Sequence, residues 1–432
     1  MYKTCADIEN SLYIAPNEIR SCCQRFFYKG KMRGDAKLIE IKEGMTPTID
    51  EIVNARKKIL KQIQNEENED CKGCPLIQKV KKEPEITSKV SHLSIEHHSV
   101  CNLRCNYCSE IYYGGQKSKY DVVKFISYLS RSNSLNDCDQ VVWGGGEPTL
   151  DKSFGQILEE IHKYADPKIY HRVFTNAVRF SGPIYKFLKK DLIKITTSID
   201  SGTQEKFKEI RGRPRFFEVF ENLKKYSEID PGKITIKYIL TEDNKEKNEL
   251  DSFVDNCIKY KLTMCNYQIS INYKKSQFDI NFLKAMVYLF AKLYDAKIKK
   301  IFLDDHIVKR FCSLKNDELE EINKYIKDNN LMNIILNPNE IEDLVIFGAG
   351  IIAKEIIKKT SFIKNLKNFD LVDSDKKKIG KILFKKKIKS PCILKEDERK
   401  IFITSAQAYD EIYNYIKKIK GNSNSILVGI AI

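Results

Sequence analysis

The sequence predicts an α/β protein. It consists of a parallel sheet or partial (β/α)6 barrel, a small cysteine-rich region before it and a further α/β unit after it. Three observations carry that expectation. Six apolar, β-branched stretches alternate with amphipathic helical stretches between about 91 and 310. A strand, a glycine turn and a helix follow one another in "DLVIFGAGIIAKEIIKK" from Asp343. Eight of the 13 cysteines lie at or before Cys108, outside the alternating pattern or at its first turn.

Composition bounds the rest. The 432 residues suggest more than one core, and 42% of them are apolar. No run approaches the roughly 20 apolar residues of a membrane span, and the first ten residues, "MYKTCADIEN", lack the apolar core of a signal peptide. A cytoplasmic protein without a membrane partner is therefore expected. The formal charge of +16 comes from 75 basic and 59 acidic residues. It suits an anionic small molecule, or simply a solvated lysine-rich surface. There is no arginine-rich arm and no interleaved aromatic pattern, so nucleic acid is not an expected partner.

Residues 1–90 read as irregular apart from one helix. Thr48 and Glu51 make a capping-box pair, and Ile49, Ile52, Val53, Ile59, Leu60 and Ile63 recur at helical spacing. Residues 91–310 contain the strands "HLSIE", "QVVWG", "YHRVFT", "IKITTSID", "KITIKYIL" and "NYQISIN", with helices such as "SFGQILEEIHKYA" and "FEVFENLKKYSE" between them. Residues 311–341 form a helical linker, and 342–432 the last α/β unit, with "FDLVDSD" and "KIFITS" as its further strands. In parallel sheets chemistry gathers at the carboxyl ends of strands. The cysteines of "CNLRCNYC" follow the first barrel strand, "GGGEP" the second, "TNA" the third, and "SIDS" closes the fourth.

Cys101, Cys105 and Cys108 are three soft ligands with no fourth cysteine nearby. A four-iron, four-sulfur cube held by three thiolates keeps one iron open, whereas structural zinc wants a fourth ligand, for which His97 and His98 are at hand. The spacing favours the iron–sulfur cube.

The stretch "CNLRCNYC", with a strand before it and "GGGEP" after the next strand, resembles the cluster loop of the radical S-adenosylmethionine (radical SAM) enzymes. The resemblance covers roughly residues 90–275 and implies a partial (β/α)6 TIM-like barrel. It implies that Cys101, Cys105 and Cys108 hold a 4Fe–4S cluster whose open iron takes S-adenosylmethionine. Gly145, Gly146, Glu147 and Pro148 match the motif that receives the amino group, and Tyr107 would lie near the adenine. Ser198 matches a position that contacts ribose or carboxylate and Arg211 one that pairs with the carboxylate, while Asn176 occupies the usual "TNG" position as a further cofactor-binding residue, although "TNA" carries alanine where glycine is usual. The implied activity is reductive cleavage of S-adenosylmethionine to a 5′-deoxyadenosyl radical, which abstracts hydrogen from the substrate. An electron donor such as flavodoxin or ferredoxin is implied with it.

Cys5, Cys22 or Cys23, Cys71 and Cys74 offer a second set of four thiolates, for iron–sulfur or zinc. They resemble the auxiliary-cluster regions called SPASM or twitch, although those usually follow the barrel and carry more cysteines. At the other end, Gly348, Gly350 and Ala353 form a dinucleotide-type turn, with Asp373 or Asp375 poised for a ribose hydroxyl. "LVDSDKKKIGK" and "IKSPCIL" resemble small Rossmann-like domains of sugar-modifying enzymes. The expected substrate is a small nucleotide- or sugar-type molecule, such as a nucleotide sugar, undergoing oxidation, epimerisation or rearrangement. A radical SAM peptide maturase and a non-catalytic zinc-binding scaffold are the alternatives.

Overall fold

A computed structural model describes residues 1–108, 114–165, 169–272, 279–337, 340–341, 343–366, 368–405 and 408–431. Glu342, the expected first residue of the last unit, lies outside the described residues, as does its last, Ile432. The chain divides into two compact units, Met1–Thr197 and Ser198–Ile432.

The first unit contains strands β1 (Tyr2–Thr4), β2 (Ser11–Ile14), β3 (Glu18–Arg20), β4 (Arg25–Tyr28), β5 (Lys31–Gly34), β6 (Lys37–Glu40), β7 (Gln78–Val80), β8 (His92–Ile95), β9 (Gln140–Trp143) and β10 (Tyr170–Phe174). Strand β11 (Ile193–Ser198) ends at its boundary. The main sheet runs β11-β10-β9-β8-β2-β3-β6. Strands β8 to β11 pair in parallel, as their sequence pattern predicts.

The amino-terminal region is more regular than its sequence suggests. Strand β2 adds to β8 in parallel, with Ser11 opposite His92, and β3 and β6 continue the sheet antiparallel. All four residues of β2 are buried, so no polar alternation marks it. The expected helix spans Ile49–Gln64 and has both arms of its Thr48–Glu51 capping box. Arg56, on that helix, is fully buried. It donates to the carbonyls of Ser11, Thr87 and Lys89, fastening the helix to β2 and to the lead-in of β8. Burial without a counter-charge lowers its guanidinium to about 10.

The second unit holds β12 (Ile234–Leu240), β13 (Asn266–Ile271) and β14 (Ile301–Leu303), paired in parallel in that order. After the linker helix Asn316–Asp328 come β15 (Asp343–Phe347), β16 (Asn368–Val372), β17 (Ile382–Leu383), β18 (Lys386–Lys389) and β19 (Lys400–Ile403). Their order is β17-β18-β16-β15-β19, with only β17 antiparallel to its neighbour. On β15, Leu344 and Ile346 enter one apolar cluster and Val345 and Phe347 another. Both faces are therefore covered, the condition that makes such a strand a continuous apolar run. Among the described residues no helix is long and apolar enough to cross a membrane.

Candidate functional site

The cysteine loop leaves the carboxyl end of β8. The first barrel strand ends in Ile95, and Glu96 accepts the Tyr13 hydroxyl of β2, tying the amino-terminal strand to the start of the loop. Leu103 is buried and donates its N–H to the Cys101 sulfur at 3.4 Å. The Cys108 N–H donates to the Cys105 carbonyl at 3.0 Å, closing a turn between two of the thiols. Cys101 and Cys108 are exposed and Cys105 is half-buried. One short loop thus carries two exposed cysteines and a half-buried one around an anchored apolar residue.

Gly144–Pro148 packs against the approach to this loop. A Cβ on Gly146 would stand 2.1 Å from the Val100 carbonyl oxygen, and one on Gly145 2.6 Å from that of His98. Gly145 also has φ +86°. Only glycine permits backbone to approach this closely. The Gly146 N–H donates to the His98 carbonyl and the Glu147 N–H to that of Val100, at 3.1 and 2.8 Å. The two loops are stitched together through main chain.

Glu147 is 1% exposed. Its carboxylate accepts from the Thr149 hydroxyl (2.7 Å), the Thr175 hydroxyl (2.8 Å), the Asn176 N–H (2.6 Å) and the Thr149 N–H (3.2 Å). Burial raises its proton affinity and these bonds oppose the rise. The side chain therefore fastens the loop after β9 to the loop after β10. Asn176 donates to Asn102 at 2.7 Å and lies 3.6 Å from the Cys101 sulfur. Cys101, Cys105, Tyr107, Cys108, Gly145 to Pro148 and Asn176 all belong to the first unit.

Ser198 and Arg211 belong to the second unit. Ser198 closes β11, and Arg211 makes a buried ion pair with Asp200 at 2.8 Å. Asp200 also accepts the Ile239 N–H at 2.7 Å. This partner of Arg211 was not singled out from sequence, although it stands two residues beyond Ser198 in the same "SIDS".

The amino-terminal thiols converge. Cys5, Cys22, Cys71 and Cys74 line one small cavity, with Asp7, Phe26, Gly34 and Asp70 among its walls. Cys23 is exposed and not part of that lining. Successive residues of an extended chain face opposite ways, so only one of the adjacent pair turns inward. Gly73, in the middle of "CKGC", has φ +77°, and its missing side chain leaves room for the Tyr28 ring. Burial pushes the Cys5 thiol up to about 11 and Cys71 to about 12, and raises Cys22 and Cys74 as well.

In the second unit, Gly348 and Gly350 border a cavity of about 910 Å3 with Asp373, Asp375, Lys378, Thr404 and Ser405. Chain order reverses between β15 and β19, and the cavity sits outside their carboxyl ends, where such sheets take ligands. Asp373 accepts the Ala349 N–H at 2.8 Å and the Lys378 ammonium at 3.0 Å. An amide of the glycine turn is thus already occupied by a carboxylate, and Lys378 supplies a cation that the sequence pattern did not suggest.

Residues 95–254 match the profile of the Radical SAM superfamily. They form a radical SAM domain. The superfamily uses a 4Fe–4S cluster together with S-adenosylmethionine. The GTP 3′,8-cyclase of Actinobacillus succinogenes is 30% identical to the chain over 165 residues, 38% of this chain and 48% of that protein. The GTP 3′,8-cyclase of Haemophilus influenzae strain KW20 is 28% identical over 156 residues, 36% of this chain and 46% of that protein. The chain thus spans about half the length of these curated relatives. Streptococcus suis SuiB bound to S-adenosylmethionine resembles it over 63% of this chain and 60% of that one, at 18% identity and a TM-score of 0.42. The radical SAM domain begins at the end of β8 and includes the cysteine loop, the Gly145–Pro148 turn and Asn176.

Proposed function

We propose that the chain is a radical SAM enzyme acting on a small nucleotide- or sugar-type substrate. The observation that carries this reading is the triad Cys101, Cys105 and Cys108 on one loop, two exposed and one half-buried, packed against a glycine turn in which any side chain at Gly146 would strike the loop's own backbone. Three thiols with no fourth cysteine nearby in sequence suit a cube with one open corner, and the glycines let the turn pack closely beside it. The cluster and S-adenosylmethionine, when bound there, supply reductive cleavage to a 5′-deoxyadenosyl radical able to take hydrogen from carbon.

The chain's own residues hold and orient. Leu103 and the Asn176 amide fix the Cys101 end of the loop. Glu147 keeps the glycine turn in register through Thr149, Thr175 and Asn176. Tyr107 is assigned to the adenine, and Ser198 and Arg211 to ribose and carboxylate. Arg211 then serves with Asp200 as its fixed support. Cys5, Cys22, Cys71 and Cys74 are assigned to an auxiliary cluster. Their cavity is apolar enough to keep free thiols protonated, so a bound metal would have to displace those protons. The four segments 1–90, 91–310, 311–341 and 342–432 keep their assigned roles, the last as a Rossmann-like nucleotide-sugar holder or docking unit.

Two features support the nucleotide-type substrate. The relatives' name includes GTP, and the cavity beside Gly348 is lined by Asp373, Asp375 and Ser405, carboxylates and a hydroxyl suited to the hydroxyl groups of a ribose or sugar. The test uses anaerobic protein with S-adenosylmethionine and dithionite. It should release 5′-deoxyadenosine, and deuterated nucleotides or nucleotide sugars should be screened for transfer of label into that product. No 5′-deoxyadenosine from the wild type sinks the catalytic reading. Product without label from any nucleotide sinks only the substrate class.

A further inference from the structure

His97 and His98 stand four and three residues before Cys101, and Asp151 follows the Gly145–Pro148 turn. The chain brings them together. One ligand atom from each of the three residues lies within 4.8 Å of the others. His97 is 6% exposed and His98 7%. The rings meet edge to face with centroids 4.9 Å apart.

The hydrogen bonding of these rings is incomplete. His97 Nε2 is 2.7 Å from Asp151 Oδ2, but among the described residues its Nδ1 has no partner. Neither ring nitrogen of His98 has a hydrogen bond of normal geometry among them, although the Val100 main chain lies near enough to favour its protonated form. A buried ring nitrogen left unpaired is destabilising, because its hydration is lost and not replaced. Asp151 is engaged by Ser153 through an N–H at 2.9 Å on Oδ1 and a hydroxyl at 2.6 Å on Oδ2, and Oδ1 keeps further acceptor capacity. Two imidazole nitrogens and one carboxylate oxygen make a borderline donor set, which takes zinc or iron(II) in preference to calcium or magnesium.

We propose that His97, His98 and Asp151 form a binding site for one divalent transition-metal ion, separate from both thiol sets. Binding through His97 Nε2 moves the ring proton to Nδ1, so the imidazole stays neutral and the ion takes the proton's place beside the Asp151 carboxylate. The lone pair of His98 gains a partner at the same ion. The ion would brace the stretch that leads from β8 into Cys101 against the start of the helix Phe154–Tyr164, whose N-terminal approach carries Asp151. No cysteine takes part, so the site stands or falls independently of the cluster reading.

The test uses the full chain, reconstituted anaerobically with iron and sulfide, given excess zinc and desalted. Wild type should retain about one zinc per chain with a nitrogen/oxygen shell near ~2.0–2.1 Å by X-ray absorption. His98→Gln and Asp151→Asn should each cut that zinc at least about 10-fold, with iron and sulfide content unchanged. The proposal is overturned if wild type retains no zinc, if the zinc shell is sulfur near ~2.3 Å, or if both variants hold zinc as wild type does. Should a variant also lose its iron, and so its fold, the wild-type absorption spectrum alone decides between the nitrogen/oxygen shell and the sulfur one.

Discussion

The two thiol sets of the first unit are built on opposite plans. Cys101, Cys105 and Cys108 sit within eight residues on one loop, two exposed and one half-buried. Cys5, Cys22, Cys71 and Cys74 come from three separate stretches and close around a largely apolar cavity that shares Ile8 and Ala36 with the core. A local loop can be exposed because its shape depends on turns and on Leu103 rather than on distant packing. A site assembled from distant stretches must be part of the core that holds them. The first plan suits a centre that admits a cosubstrate. The second suits one that is shielded, with burial holding the thiols protonated until a metal arrives.

The largest expected effect separates the two sets outright. Cys105→Ala should lower 5′-deoxyadenosine release by at least about 1000-fold while the amino-terminal set keeps its metal, as read by chromatography and metal analysis. Cys71→Ser should do the reverse to the metal content. Because Cys71 is buried among apolar residues, it should also lower thermal stability by about 1–3 kcal/mol. Cys23→Ser should match wild type in both assays. Equal metal loss from Cys23→Ser and Cys22→Ser would break the assignment of the inward thiol.

Next comes the glycine turn. Gly146→Ala places a Cβ 2.1 Å from the Val100 carbonyl, so the loop must shift. Affinity for S-adenosylmethionine should fall at least about 10-fold by calorimetry, with cluster content retained. An unchanged affinity would mean that the ligand does not approach this backbone.

A pH effect sharpens the contrast between site and core. His171 is fully buried, accepts the Trp143 indole N–H at 3.1 Å, and burial lowers it from 6.5 to about 3. The unfolded chain therefore binds a proton that the folded chain refuses. Stability is fully present above pH 6.5 and declines as pH falls from there towards about 3. The slope approaches ~1.4 kcal/mol per pH unit. Urea unfolding at pH 7, 5 and 4 should show that slope, and His171→Gln should flatten it. The smallest effect is that of Thr175→Val, which removes one of the four donors to Glu147 and should cost about 1–2 kcal/mol.

The sheet of the radical SAM domain was legible because its strands are apolar runs of four to seven residues separated by helices with clear caps, such as Ser181 and Thr203. The amino-terminal strands were not legible. Several have three or four residues, and β2 is wholly buried, so neither length nor alternation distinguishes them from loop. The cysteine loop announced itself because its ligands are local in sequence. Asp200, Lys378 and Asp151 did not, because an isolated acidic or basic residue signals nothing until its partner is known.

The sequence by itself determined what depends on near neighbours: the spacing of Cys101, Cys105 and Cys108, the β/α alternation, and the glycine turns at Gly145–Gly146 and Gly348. Tertiary structure alone decided what depends on distant ones. It chose Cys22 over Cys23 for the cavity, gathered four donors on Glu147, set Asp373 against the amide of Ala349, and brought His97 to Asp151 across 54 positions. The reason is physical. Turn geometry and periodicity are encoded over a few residues, whereas a side chain's partners are set by which strand ends the sheet brings side by side.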